Sequence, residues 1–176
     1  MFSCFDGRGS AALDGSASDK NLIFCAMQLA AERADLQLPP VRLEVHNEIP
    51  LGRGLGSSAA AIVAGLSLCG RLCGAEDMED ELILQLAAEL DGHPDNVAAS
   101  LMGGWVTACV KADGFVLALK RHWPPGIKLV VVSPEATLNT RLSRAALPPL
   151  VDRADAVHNL QRARYSGPPW TRTPTI

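Results

Sequence analysis

The 176-residue sequence predicts an α+β domain in which helices pack against a mixed β-sheet. Two observations lead to this prediction. Apolar residues recur at helical spacing in several segments, and shorter segments show the alternation or the continuous apolar run of β-strands. Hydrophobic residues make up 48% of the chain and charged residues 20%, a balance typical of a globular domain with a sizeable core.

The first predicted element is a helix over about residues 20–35. Residues 1–18 are rich in Gly, Ser, Ala and Asp and show no sustained period, so we expect a poorly ordered loop or terminus there. Asp19 can cap the helix that follows. The predicted apolar face of this helix consists of Leu22, Cys25, Ala26, Leu29 and Ala30.

A half-buried strand is predicted next, because Val41, Leu43 and Val45 alternate with polar residues. His46 falls on the polar phase, where a solvated side chain is expected. A helix of about residues 57–71 is apolar nearly all round, which predicts burial. Gly70 and Gly74 then mark a turn.

A further helix is predicted over about residues 77–90, with an acidic start that suits the helix dipole. Its inward residues are predicted to be Leu82, Ile83, Leu86, Ala87 and Leu90. Strands at about 104–111 and 115–120 are joined by Ala112-Asp113-Gly114, which is a hairpin signal.

The remaining elements are a strand and two helices. Residues 127–133 form a nearly continuous apolar run, typical of a strand buried on both faces. Helices are predicted near 139–144 and over about 150–163, and the Pro-rich segment 165–176 is predicted to be disordered. No internal repeat or second domain is visible, so the ordered domain is predicted to span 19–164.

The composition argues against several classes of protein. A net charge of −3 gives no electrostatic reason to expect nucleic acid or an anionic membrane as a partner. The apolar runs are shorter than a membrane span, and no signal peptide pattern opens the chain. Five cysteines without paired spacing favour a reducing cytoplasm over a disulfide framework. Cys69 and Cys73 lie four residues apart and are interpreted as part of a buried helix face rather than a metal site.

The clearest chemical signal is the stretch Pro50-Leu51-Gly52-Arg53-Gly54-Leu55-Gly56-Ser57-Ser58-Ala59. Glycines tolerate positive φ and lack Cβ, so their backbone amides can approach a ligand closely. A helix that begins at the serines would add unpaired N–H groups and the positive end of its dipole. These features together predict an anion site, and phosphate is the anion that suits it.

Two common nucleotide loops do not match this stretch. A Walker A loop needs a lysine after its last glycine, and the dinucleotide fingerprint spaces its glycines differently. A Gly-rich turn capped by Ser57, with no ligand, is the alternative.

A second polar stretch is Gly92-His93-Pro94-Asp95-Asn96, directly before an apolar segment that ends at Gly103-Gly104. A capped turn would place Pro94 at a first helical position and Asp95 in the first turn. That interpretation leaves the adjacent His93 and Asn96 unexplained.

The glycine stretch closely resembles the phosphate-binding motif of the GHMP kinases. The string Gly92-His93-Pro94-Asp95-Asn96-Val97-Ala98 resembles the substrate-side segment of the homoserine kinases within that family. Two later segments, 138–148 and 155–160, also resemble homoserine kinase segments. The resemblance spans about residues 19–164. It implies a GHMP kinase N-terminal-type domain, similar to domain 2 of ribosomal protein S5.

This resemblance implies ATP-dependent phosphorylation of the side-chain hydroxyl of L-homoserine to O-phospho-L-homoserine, a step in threonine biosynthesis. It assigns ATP to the glycine stretch: Pro50, Gly52, Arg53, Gly54, Leu55, Gly56, Ser57, Ser58 and Ala59. The Ser58 hydroxyl and the Asp91 carboxylate are the implied Mg²⁺ ligands, although the family usually has Glu at the Asp91 position. Glu89 is the alternative ligand.

The resemblance assigns the amino-acid substrate to a second set of residues: His93, Asp95, Asn96, Thr140 and Arg144. Asp95 is expected to face the ammonium group and Asn96 to lie near the attacking hydroxyl. Arg144 suits a bidentate contact with a carboxylate. Phosphoryl transfer depends mainly on positioning and charge neutralisation, so a dedicated base is not required. Asp95 as a base is an alternative.

The sequence departs from the homoserine kinase pattern at both ends. The Asn-containing substrate-pocket motif has no counterpart before residue 19, and the third glycine-rich motif has none after about residue 163. We therefore expect weak nucleotide binding and little turnover by this chain alone. A non-catalytic remnant that binds or dimerises, and another GHMP kinase such as a mevalonate-pathway enzyme, are the alternatives. Because family members are commonly dimers, a homodimer is expected.

Overall fold

The computed structural model describes residues 5–7, 21–74, 78–133 and 145–163. The chain divides into two compact units, Met1–Thr137 and Leu138–Ile176. The helices described in the first unit are α1 (Leu22–Arg33), α2 (Ser57–Leu72), α3 (Asp80–Asp91) and α4 (Pro94–Met102). Its described strands are β1 (Phe5–Gly7), β2 (Val45–Asn47), β3 (Trp105–Val110) and β4 (Val116–Arg121).

The described strands form two small sheets rather than the single mixed sheet that we predicted. β1 pairs in parallel with β2, with Phe5 opposite Val45, and β3 pairs antiparallel with β4, with Trp105 opposite Arg121. β1 lies in the segment predicted to be loop, so that prediction is wrong for its three residues. β1 is defined by its backbone pairing with β2. A segment of three residues that includes a glycine is too short to show the side-chain alternation that would predict a strand.

The alternation of apolar and polar residues before the glycine stretch is seen in the burial of their side chains, but only a short part of this segment forms a β-strand. Val41, Leu43 and Val45 are partly buried against the core, whereas His46 is exposed as predicted. Only residues 45–47 form a strand, because the described pairing with β1 covers those three residues. The predicted strand therefore begins four residues too early.

Helix α1 begins at Leu22 and is capped by Asn21 rather than by Asp19, which lies outside the described residues. The Asn21 Oδ1 accepts hydrogen bonds from the backbone N–H groups of Ile23 at 3.0 Å and Phe24 at 3.3 Å. The predicted apolar face is partly wrong, since Leu22 is 40% exposed. The buried residues of α1 are Ile23, Ala26, Met27, Ala30 and Ala31.

Helices α1 and α2 are in backbone contact at Gly65. A Cβ atom added to Gly65 would lie 2.2 Å from the carbonyl oxygen of Ile23 and 2.8 Å from the Cβ of Ala26. No side chain larger than hydrogen fits there without moving a helix backbone. The predicted burial of α2 is correct for one face only, because Leu68 and Leu72 are 39% and 42% exposed. Gly70 lies inside the helix rather than in the predicted turn. The buried residues of α2 are Ala59, Ile62, Val63, Gly65, Leu66, Cys69 and Gly70.

Cys69 of α2 and Cys73, the C-cap residue of that helix, pack against the core. Cys69 is fully buried, and its Sγ lies 3.9 Å from the Sγ of Cys73. Burial raises the pKa of the Cys69 thiol to about 11, so this thiol stays protonated at neutral pH. The described residues contain no group of three His, Cys, Asp or Glu side chains that could hold a metal ion.

Helix α3 packs against both α2 and α4 and holds the start of β4 through Gln85. The Gln85 Nε2 donates to the Val116 carbonyl at 3.1 Å, and the Val116 N–H donates to the Gln85 Oε1 at 2.8 Å. The predicted inward face of α3 is correct at Ile83, Leu86 and Ala87, whereas Leu90 is only partly buried and Leu82 is 42% exposed. The buried residues of α3 are Ile83, Leu84, Leu86, Ala87 and Ala88.

The predicted β3–β4 hairpin is confirmed. At its turn the Asp113 carboxylate accepts the N–H of Phe115 at 3.0 Å and pairs with Lys111 at 3.1 Å, and these contacts lower the pKa of Asp113. The strand predicted at 127–133 is wrong, because those residues form no strand and Val130 is 88% exposed. An apolar run becomes a strand only beside a pairing partner, and none is found for it among the described residues.

In the second unit, the helix predicted over about 150–163 is confirmed as α5 (Arg153–Ala163). The Asp152 carboxylate accepts the N–H of Ala154 at 2.7 Å at its start. The helix predicted near 139–144 and the tail 165–176 lie outside the described residues. No helix in the described ranges is long and apolar enough to cross a membrane.

The contact at Gly65 predicts that even the addition of a methyl group at this position destabilises the core. Gly65→Ala should lower the free energy of unfolding by about 2–3 kcal/mol, because the added methyl group overpacks two helix backbones. Urea denaturation monitored by circular dichroism measures the change. Gly126→Ala is the matched control, since a Cβ there has no neighbour within 4 Å. It should change stability by no more than about 0.5 kcal/mol. Equal stability of the two variants would contradict the backbone contact.

Candidate active site

The three alternating glycines before α2 all have left-handed backbone conformations. Gly52, Gly54 and Gly56 have φ values of +65°, +69° and +77°. L-residues with a Cβ rarely adopt such values, so the conformation of the loop depends on glycine at each position. A Cβ at Gly54 would have no described neighbour within 4 Å, so the backbone there is open to a ligand.

The loop leads directly into the N-terminus of α2. The helix begins at Ser57, as predicted, and Gly56 is its N-cap residue. The cap is therefore not Ser57, and Gly56 has no side chain to hydrogen-bond the first-turn amides. The Ala60 N–H donates to the Gly56 carbonyl at 2.9 Å and starts the helical ladder. The first-turn N–H groups and the positive end of the α2 dipole are therefore available to bind an anion.

Asn96 lies beside this loop. Its Oδ1 is 3.7 Å from the position that a Cβ would take on Gly56. Asn96 is in the first turn of α4, which begins at Pro94 with His93 as its N-cap residue. Because α2 and α4 pack together, the start of α4 meets the start of α2 at this point. The sequence placed these segments 40 residues apart, and the fold brings them together.

Three more of the predicted residues lie at the junction between α3 and α4. Asp91 is the last residue of α3, and Gly92, with φ of +79°, turns the chain towards α4. The Asp91 Oδ2 lies 3.9 Å from the His93 Nδ1, and the Asp91 side chain is the more buried of the two, at 14% against 36% exposed. The Asp95 Oδ1 accepts the backbone N–H of Asn96 at 2.7 Å.

Glu89, the alternative metal ligand, is engaged by another element. Its Oε1 pairs with the Nη2 of Arg33, the last residue of α1. Sequence reasoning missed this pair, because the two residues are 56 positions apart and neither belongs to a motif. Both side chains are 51% exposed, so this contact is a surface ion pair between α1 and α3.

Arg53 has an unusual environment for a loop arginine. Its Nη1 is buried and has no hydrogen-bond partner among the described residues. An unpaired buried cationic donor suits a site that accepts an anion. Thr140 and Arg144, which the sequence also assigned to the site, lie outside the described residues.

A surface cleft of about 620 Å³ lies elsewhere, between α1 and residues 35–41. Its lining includes Phe24, Gln28, Leu36 and Pro39, and none of the predicted site residues. The glycine loop and the start of α4, rather than this cleft, bring together the groups with recognisable chemistry.

Comparison with known proteins shows which family this chain resembles. Residues 21–104 match the family model described as the GHMP kinases N-terminal domain. A homoserine kinase from Deinococcus radiodurans is 43% identical over 145 residues, which are 82% of this chain and 47% of that protein. A homoserine kinase from Solibacter usitatus is 42% identical over 147 residues, 84% of this chain and 48% of that protein.

Solved structures show the same relationship. A structure described as a homoserine kinase from Listeria monocytogenes has a TM-score of 0.64 and 31% identity, over 84% of this chain and 47% of that one. A homoserine kinase from Cytophaga hutchinsonii has a TM-score of 0.70 and 25% identity, over 93% of this chain and 53% of that one. The predicted fold class is confirmed, and the chain spans about half the length of the relatives it matches.

The loop geometry predicts a specific loss of anion binding on substitution of Gly54. Gly54→Ala and Gly74→Ala form a matched pair, because both positions have left-handed φ, +69° and +71°, and no neighbour for a Cβ within 4 Å. Each should cost about 1 kcal/mol of stability. Only Gly54→Ala should reduce the rise in melting temperature produced by sodium tripolyphosphate. An equal reduction of the tripolyphosphate effect in both variants would contradict anion binding by the glycine loop.

Proposed function

The chain belongs to the GHMP kinase family, and we propose that it transfers the γ-phosphoryl group of ATP to the side-chain hydroxyl of L-homoserine, forming O-phospho-L-homoserine. The observation that supports this most directly is the meeting of the left-handed glycine loop with Asn96 at Gly56. The relatives at 42–43% identity are homoserine kinases, which supports the choice of acceptor and a place in threonine biosynthesis.

The residues present fit a nucleotide polyphosphate. The amides of the glycine loop and of the first turn of α2 are donors that approach an anion without side-chain obstruction, and the helix dipole adds to their effect. The unpaired Nη1 of Arg53 is a further donor in the same loop. ATP supplies the phosphoryl group when bound, and these donors hold its phosphates and stabilise their charge.

The residues present also fit Mg²⁺, which binds through one or two protein oxygen ligands together with phosphates and water. Ser58, in the first turn of α2, offers a hydroxyl, and Asp91, at the end of α3, offers a carboxylate. Asp91 is proposed over Glu89 because Glu89 already pairs with Arg33. The ion would neutralise phosphate charge during transfer.

The acceptor is proposed to bind at the start of α4 through His93, Asp95 and Asn96. Asp95 is held by the N–H of Asn96 at 2.7 Å, which fixes one carboxylate oxygen and suits a partner for the ammonium group of the amino acid. Asn96, next to the loop, would orient the hydroxyl towards the phosphates. Thr140 and Arg144 are also proposed to bind the acceptor, and this assignment rests only on the resemblance to homoserine kinases. Positioning supplies most of the catalysis in this scheme, so no side chain is assigned as the base.

A second candidate follows from the length of the match. Because the chain spans about half of each relative, a nucleotide-binding module without turnover is the main alternative. Phosphorylation of a different GHMP kinase acceptor, such as mevalonate, is the other alternative.

The described cysteines are free thiols, which supports a reducing cytoplasm as the place of action. We also propose that the protein forms a homodimer, which light scattering would test.

The proposed reaction is tested by ADP release in a coupled assay with Mg·ATP. Turnover should depend on L-homoserine and be absent with mevalonate or with no acceptor. Ser58→Ala and Asn96→Ala should each lower kcat about a hundredfold, the usual loss when a group that stabilises or positions the reacting atoms is removed. Ser67→Ala on α2 and Ser100→Ala on α4 are the controls and should keep wild-type rates. Mevalonate-dependent turnover would contradict the acceptor, and absence of turnover in folded protein would favour the binding module.

The choice of metal ligand is tested by comparing Asp91→Asn with Glu89→Gln. Asp91→Asn should raise the Mg²⁺ concentration needed for ADP-dependent thermal stabilisation about tenfold or more, because a carboxylate ligand loses its charge. Glu89→Gln breaks an exposed ion pair and should change stability by less than about 1 kcal/mol, with the Mg²⁺ requirement unchanged. The reverse pattern would assign the metal to Glu89.

A further inference from the structure

The cleft beside α1 lies apart from every residue that the proposed function uses. Its volume of about 620 Å³ falls in the range of small-molecule sites. One wall follows a single side of α1, where Phe24, Gln28 and Glu32 recur every four residues. The other wall is residues 36–41, which have no regular secondary structure.

The lining of this cleft is apolar and offers few hydrogen-bond donors. Leu36, Leu38 and Val41 are partly buried against the core. Two of the other lining residues are prolines, which have no backbone N–H. Among the lining residues, Gln28 alone has a side-chain N–H. The cleft therefore suits an apolar ligand surface and is poorly equipped to bind an anion.

The end of α1 places a carboxylate at the mouth of the cleft. The Leu36 N–H donates to the Ala31 carbonyl at 2.8 Å, and the Asp35 N–H donates to the Glu32 carbonyl at 3.4 Å. This is a Schellman motif, in which the left-handed position is usually glycine. Here Asp35 occupies it with φ of +52°, the single described non-glycine residue with positive φ. Both backbone N–H groups are used within the motif, so neither is available to a ligand.

The negative charge at this end of the cleft is not balanced by the protein. Glu32 and Asp35 both line the cleft, and no lining residue is basic. Arg33, the basic residue between them, pairs with Glu89 instead. Neither Glu32 nor Asp35 forms an ion pair with any residue that the structure describes. The carbonyl groups at the C-terminus of α1 add to the negative potential there.

We propose that this cleft binds a small organic cation, a protonated amine that carries an apolar body. The ammonium group would pair with Glu32 and Asp35 at the end of α1, and the body would contact Leu36 and Leu38. The inference goes beyond the proposed function, because neither substrate of the kinase reaction has this chemistry. ATP is an anion, and the carboxylate of an amino acid would be repelled by the two acidic side chains.

A lysine side chain of another protein also carries an ammonium group on an apolar stem. The cleft favours a free small molecule, because its volume is that of a small-ligand site and its apolar lining extends past the two carboxylates. Nα-acetyl-lysine methylamide, which imitates a lysine within a protein, is therefore included as a probe in the test.

The test titrates the ¹⁵N-labelled full chain with 2-phenylethylammonium chloride and follows the amide shifts of Gln28, Glu32 and Leu36. Sodium 3-phenylpropionate has the same apolar body with the opposite charge, and methylammonium chloride has the charge without the body. Sodium chloride keeps the ionic strength constant throughout. We expect saturable shifts at these three amides with 2-phenylethylammonium, and no saturation with either of the other two compounds.

The variants separate the charge of the cleft from its shape. Asp35→Asn keeps the size of the side chain and tolerates the left-handed conformation, but removes the charge. Its dissociation constant for 2-phenylethylammonium should rise about threefold to fivefold, as expected for an exposed ion pair. The double variant Glu32→Gln/Asp35→Asn should show a rise of about tenfold or more. Glu81→Gln, at an exposed carboxylate in the first turn of α3, is the charge-matched control and should bind as wild type does.

Asp35→Gly distinguishes a ligand-binding role from a structural one. Without ligand its melting temperature should rise by about 2–4 °C, because glycine relieves the left-handed strain and removes a negative charge from the helix C-terminus. Its affinity for 2-phenylethylammonium should fall as in Asp35→Asn. Homoserine-dependent ADP release should be unchanged in both variants, so the outcome is independent of the proposed function.

Four results would overturn the inference. They are equal affinity for 3-phenylpropionate and 2-phenylethylammonium, unchanged affinity in the double variant, a fall of more than about 3 °C in the melting temperature of Asp35→Gly, and tighter binding of Nα-acetyl-lysine methylamide than of 2-phenylethylammonium. The third result would make Asp35 a structural residue, and the fourth would assign the cleft to a protein partner.

Discussion

The contact between α1 and α2 at Gly65 constrains the rest of the first unit. The Gly65 backbone lies so close to the carbonyl of Ile23 that no Cβ atom fits between the two helices at this point. Met27, Ile62 and Leu66 are among the largest fully buried side chains of these two helices, and α3 and α4 also pack against α2. The position of α2 in turn determines where its N-terminus presents the glycine loop. The core and the site therefore depend on one helix.

Two helix N-termini meet at that end of the molecule. The start of α2 contributes backbone amides that the glycine cap leaves available, and the start of α4 brings Asn96 to within 3.7 Å of a Cβ position on Gly56. Both dipoles have their positive ends here, which favours anionic ligands. An exposed ion pair between Arg33 and Glu89 links α1 to α3 close to this end of the molecule. The arrangement thus places the backbone amides at the start of α2 beside the polar side chains at the start of α4.

The sequence was most informative where a local conformation needs a particular residue type. Alternating glycines before Ser57 predicted left-handed turns and a helix start, and Pro94 predicted the first residue of α4, because φ limits act within a few residues. It was least informative where the outcome depends on a distant partner. The strand predicted at 127–133 has no described partner, and the buried face of α1 was misjudged because α2 selects it. The proximity of Asn96 to Gly56 depends on packing and has no local signal.

Titration of ¹⁵N-labelled protein with MgADP, followed by amide chemical shifts, tests whether the glycine loop at the start of α2 holds the nucleotide. We expect the largest shifts at the amides of Gly54, Gly56 and Ser58, with a smaller shift at Asn96. Shifts confined to Gln28, Leu36 and the other residues of the cleft beside α1 would contradict it, because the nucleotide would then bind away from the loop.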